Sequence, residues 1–272
     1  LSSLHRIIVS FLLLILSYPS RGSDPFRITA GAREAGMGQV CIMNSSFWSS
    51  FQNQATLALN RSAAFGFSYE NRFGLKELGT RSAALVIPAG KASVGAVYSR
   101  FGYTDFRRDM AGVACGIQLG EKIMAGVQAD YMSERTFGEY INNEFITIEA
   151  GIVILASESV RIGLHLFNPV PSSLRKLQLP QRLRAGAGMD LGKSLFAGAE
   201  AEMSTGGNLI IRTGCEYEPA RNFFLRGGFS TENSSFSFGL GYIIKLVNLD
   251  IGFVTHERLG VTTSASVRFT IK

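Results

Sequence analysis

Ser235-Phe236-Ser237-Phe238-Gly239-Leu240-Gly241-Tyr242 decides the fold of this chain. Its aromatic and aliphatic residues fall on one face and its serines and glycines on the other. A period of two belongs to a β-strand, whose successive side chains point to opposite sides. The closing stretch repeats it, with Val261, Ala265, Val267, Phe269 and Ile271 opposing Thr262, Ser264, Ser266, Arg268 and Thr270. Working back from there, similar stretches end repeatedly at Gly, Pro, Asn or Asp. Fourteen can be marked, at 63–72, 79–88, 92–102, 106–119, 123–134, 144–156, 159–167, 181–191, 195–204, 209–218, 222–230, 235–244, 246–256 and 259–271. An even number of alternating segments of roughly ten residues is the pattern of a bacterial outer-membrane barrel. The expected fold is all-β, a 14-stranded antiparallel transmembrane β-barrel over residues 62–272, preceded by a plug segment.

Composition agrees. Thirty Gly, twenty Phe and 18% charged residues suit a wall facing lipid better than a soluble sandwich, whose outer faces carry more charge. Residues 1–22 read as a secretory signal: His5 and Arg6, an apolar run over 7–16, and small residues near Gly22 where cleavage is expected. The run is shorter than the roughly 20 residues a spanning helix needs. Without Arg6 and Arg21 the formal charge falls from +6 to +4 (25 basic, 21 acidic), and the basic residues are scattered, which excludes a nucleic-acid footprint. Cys41, Cys115 and Cys215 have no metal-ligand spacing and read as small core or wall residues.

The connections after even-numbered stretches are tight (89–91, 120–122, 192–194, 219–221), and several after odd ones are longer (71–78, 135–143, 168–180). In outer-membrane barrels short turns face the periplasm, so both termini are expected on the periplasmic side. The polar faces of stretches eight to eleven carry both signs: Arg182 and Arg184, Glu200 and Glu202, Arg212 and Glu216, then Arg226. A charge facing lipid at the midplane costs about 2–4 kcal/mol, so these residues are expected to point inward. They are expected to form a ladder of paired charges, in an interior that is either cross-linked and filled or hydrated.

Residues 23–61 do not alternate. They contain Gly31-Ala32-Arg33-Glu34-Ala35-Gly36-Met37-Gly38, suited to tight turns and close backbone approach, then Phe47, Trp48 and Phe51 on one side of a short helix. That is enough chain to enter a barrel and block it. The opening GAREAGMGQ followed by SSFWSSFQNQATLAL resembles that of FadL-like barrels, especially the PorV and PorQ proteins of the type IX secretion system. Gly31, Ala32, Arg33, Gly36, Met37 and Gly38 match its first part, and Asn53, Ala55 and Leu57 its Asn-Pro-Ala-x-Leu ending, with Gln54 in place of Pro. The resemblance implies a fourteen-stranded barrel with an inserted N-terminal plug. It places Arg33, Gly36, Gly38, Phe47, Trp48, Phe51 and Asn53 in the plug and in any binding surface. The chain ends in Lys272 where such barrels carry an aromatic, so Phe269 has to serve any assembly signal.

His165 and His256, the histidines outside the signal, are the candidates for catalytic chemistry. His256 lies near Ser264 and Ser266, without spacing that demands a triad; it reads as a solvated loop histidine, and His165 as a satisfied interior residue. No enzyme activity, cofactor or metal is expected. Two functions remain. The preferred one is an accessory of type IX protein secretion or surface attachment, with outer-membrane lipid and other secretion or surface proteins as partners. The alternative is a FadL-like transporter of hydrophobic small molecules, which needs an apolar internal pocket.

Overall fold

The computed structural model describes residues 28, 30–136, 142–169, 179–205, 207 and 209–271; the expected signal segment lies outside them. Fourteen antiparallel strands close into a barrel in sequential order. They are β1 (Ala64–Asn71), β2 (Gly79–Ala89), β3 (Ala92–Gly102), β4 (Phe106–Gln118), β5 (Ile123–Thr136), β6 (Asn142–Leu155) and β7 (Val160–Phe167), followed by β8 (Arg182–Leu191), β9 (Leu195–Ser204), β10 (Ile210–Ala220), β11 (Phe223–Ser230), β12 (Ser235–Ile244), β13 (Val247–His256) and β14 (Gly260–Thr270). Closure is by β1 on β14, with Ala64 opposite Thr270, so no strand edge is left unpaired. The first and last strands thus meet at the end that carries the connections after even strands.

Alternation becomes burial. In β12, Ser235, Ser237, Gly239 and Gly241 are buried while Phe236, Phe238, Leu240 and Tyr242 are exposed on the outer wall. The outer wall carries Phe, Leu, Ile and Val around the barrel, as lipid contact requires. Tyr69, Tyr98 and Tyr131 stand exposed near one end and Tyr217 and Tyr242 near the other, the positions of interfacial girdles. Two connections after odd strands, 103–105 and 257–259, are as short as the turns at the opposite end; the longest is 168–181.

Residues 30–59 run around the inner wall. A five-residue helix, α1 (Ala32–Gly36), lies against β11–β14 and β1, and 3-10 turns follow at Phe47–Phe51 and Gln54–Leu59. The glycine-rich stretch expected as turns therefore contains a helix, and the aromatic helix is a tighter 3-10 turn. Ser46 caps the first turn by accepting from Trp48 N, and Asn53 caps the second by accepting from Ala55 N.

Candidate functional site

The interior is where residues distant in sequence converge. Wall glycines face each other across successive strands: Gly116 with Gly126 and Gly151, Gly163 with Gly186, Gly188 with Gly198, Gly214 and Gly228, and Gly239 with Gly252. The inner segment is nested in this girdle backbone to backbone. A Cβ at Gly126 would sit 2.6 Å from the Gln54 carbonyl oxygen, and one at Gly228 2.7 Å from that of Met37. On the segment's side, Gly36 meets the Gly239 backbone, and Gly38, in the left-handed region at φ +64°, meets Gly228 and the Thr213 carbonyl.

Polar bonds complete the seat. Gly31 N donates to Ser68 Oγ and Ala32 N to Ser266 Oγ, each at 3.1 Å. Fully buried Asn53 donates through Nδ2 to the carbonyls of Ile42 (2.7 Å), Leu164 (3.1 Å) and Ile152 (3.3 Å). Gln54, which stands where the resembled motif has Pro, donates to Glu149 Oε2 at 2.6 Å, and His165 Nε2 lies 3.0 Å from that same oxygen. Phe47 and Trp48 are 2% exposed and pack edge to face at 5.0 Å, with Phe51 beside Trp48.

The charges sort into two networks. In one, Arg184 pairs with Glu200 and reaches Glu202 at 3.6 Å, and Arg212 joins Glu202 (3.0 Å) to Glu232 (3.5 Å). Glu200 also accepts from the amides of Cys41 (2.5 Å) and Ile42 (2.8 Å), tying the segment to the wall. In the other, Glu216 is shared by Arg226 (2.6 Å) and Arg33 of the segment (2.7 Å), and Arg226 extends to Asp250 (2.7 Å). Arg182 holds its guanidinium 4.1 Å over the Phe167 ring. Within the segment, burial raises the Glu34 carboxyl above its ordinary range and pushes the Cys41 thiol up.

The wall of β4–β7 also carries an apolar patch. Met110, Met132, Phe145 and Phe167 face inward on neighbouring strands β4–β7, near the end that carries the connections after odd strands. With Val97, Leu179 and the segment's Phe51 and Ile28 they form an apolar sector. A void of about 20 Å³, bounded by Ile28, Phe51 and Met132 on one side and by Gln52, Glu149 and Arg184 on the other, is room for a water molecule and no more. Charged groups face inward on these strands as well: Arg108 pairs with Glu134 one row nearer the same end, and buried Asp130, Glu149 and His165 lie deeper, so the apolar residues form a patch between polar rows. His256 lies 3.2 Å from Thr262 Oγ1, while Ser264 donates to the Gly252 carbonyl and Ser266 accepts from Ala32 N, so no serine–histidine pair is assembled there. All three cysteines are free, Cys41 buried inside and Cys115 and Cys215 on the outer wall.

No protein-family model and no curated protein matches the chain. Among solved structures, the toluene transporter TbuX of Ralstonia pickettii is similar at a TM-score of 0.72 and 12% identity, over 89% of this chain and 98% of that one. The Pseudomonas putida toluene transporter TodX is similar at 0.70 and 12%, over 91% and 99%. A Pseudomonas aeruginosa FadL homologue gives 0.62 and 12%, over 89% and 97%. At such identity the likeness is one of fold: the chain has the closed fourteen-stranded architecture of FadL-like outer-membrane barrels.

Proposed function

We propose that this barrel admits small hydrophobic molecules across the outer membrane, with residues 30–60 as its plug. The observation that carries the reading is an apolar patch among the polar rows of the inner wall. Ion pairs on β8–β13 anchor the segment, while Met110, Met132, Phe145 and Phe167 offer an apolar patch near one end, with the Arg108–Glu134 pair at its rim. An uncharged hydrocarbon gains about 25 cal/mol per Å² of surface withdrawn from water, and the methionines adapt to its shape. The void beside Phe51 is too small for such a molecule, so entry requires Ile28 and Phe51 to move aside. The fold shared with barrels described as toluene transporters supports the same reading. The connections after odd strands then face outward and both termini face the periplasm.

The opening motif does not favour the secretion accessory over the duct. Arg33, Gly36, Gly38 and Asn53 each engage this chain's own wall, so the motif describes how an inner segment seats. The test is uptake into proteoliposomes. Toluene or a medium-chain fatty acid should enter faster than into empty vesicles, a sugar of similar size should not, and Met132→Arg should abolish the difference. Equal entry of the sugar, or no entry of either, would overturn the duct.

A further inference from the structure

Basic side chains also gather on the outside of the barrel. Arg81, Arg100, Arg107 and Arg135 alternate with the inward residues of β2–β5, so they lie on the lipid side of the wall. Register makes them neighbours: Arg81 is opposite Arg100, and Arg107 is opposite Arg135. With Lys76 and Tyr103 they line one open depression of about 690 Å³ at the end that carries the connections after odd strands. The carboxylate among them is Asp109, held by Arg100 at 2.7 Å and Arg107 at 2.8 Å; Glu77 and Glu144 flank the cluster. Among the described residues no ion pair is found for Arg81, Arg135 or Lys76. Four outward-facing arginines at one membrane boundary are far more than contact with acyl chains tolerates.

The wall one row deeper explains their placement. Phe67, Ala83, Tyr98, Ala111, Tyr131 and Ile146 are register neighbours on consecutive strands, an apolar and aromatic row directly beneath the arginines. A cationic depression above an apolar wall is complementary to an amphiphile with an anionic head and several acyl chains. Arginine's planar fork suits phosphate in particular. We propose that this depression binds the phosphate groups of lipopolysaccharide, the lipid of the outer leaflet. The proposal rests on the outward orientation given above, and it is independent of what crosses the lumen.

The test uses the full barrel in non-ionic detergent, with native mass spectrometry as the readout. Lipid A, phosphatidylcholine and inorganic phosphate are titrated in parallel. Lipid A should bind saturably and phosphatidylcholine weakly. The pair Arg81→Glu and Arg135→Glu should weaken lipid A binding about ten-fold or more, and the milder Arg81→Gln with Arg135→Gln to a lesser degree. Lys91→Glu, in the turn at the opposite end, should leave it unchanged. Heat-modifiable migration on a gel reports that each variant is folded. Undiminished binding by both double variants would overturn the site, and inorganic phosphate binding as tightly as lipid A would overturn the lipid in favour of a free-phosphate site. Neither result bears on uptake through the lumen.

Discussion

Glu200 accepts hydrogen bonds from the Cys41 and Ile42 amides through one oxygen and pairs with Arg184 through the other, at 2% exposure. Removing its charge strands a buried guanidinium, which typically costs about 3–5 kcal/mol. Glu200→Gln should therefore lower the urea midpoint of the refolded barrel well below wild type. Arg161→Gln is the contrast, because its pair with Asp190 is partly exposed (20% and 42%) and such pairs contribute about 0–1 kcal/mol. Gly227 and Gly228 give a second contrast within one strand. A methyl at Gly228 meets the Met37 carbonyl, while one at Gly227 finds its nearest atom, Cys215 Sγ, at 3.9 Å. Gly228→Ala should destabilise by about 1–3 kcal/mol and Gly227→Ala hardly at all, by the same titration.

At the scale of elements, the strands were legible because alternation persists through them, and every marked edge lies within two residues of the observed one. The apolar patch on the inner face of β4–β7 was not legible. Met110, Met132 and Phe145 lie opposite outward residues that are themselves apolar, such as Ala111, Tyr131 and Ile146, so period two carries no contrast there. Only cross-strand register shows that they meet on one side of the lumen. The glycine girdle was hidden for the same reason: each glycine is unremarkable in its own strand and gains meaning from its partner. In the inner segment the aromatic grouping could be read, but its geometry could not, since the 3-10 form is set by packing against the wall. Trp48 lies wholly within that packing. Trp48→Ala should lower thermal stability by about 3–5 kcal/mol. Loss of ligand uptake with unchanged stability would instead make it a contact residue.

For the whole molecule, the inner segment seated across the lumen means that the intact barrel should conduct ions poorly in planar bilayers, and deletion of residues 30–54 should produce large, stable openings. An intact barrel already open at that level would contradict the plug. Orientation is testable in cells: an epitope inserted at Asn233 should be labelled on the intact surface, and one at Lys193 only after the outer membrane is permeabilised. The glycine girdle has a consequence for descent as well. It couples residues 36–58 to wall positions on nearly every strand, so the two cannot drift separately. A methyl gained at 126 is tolerable only if the chain at 54–55 recedes in the same lineage. Segment and wall are one hereditary unit, and transplanting residues 30–60 into a related barrel should fail unless the matching glycines travel with them.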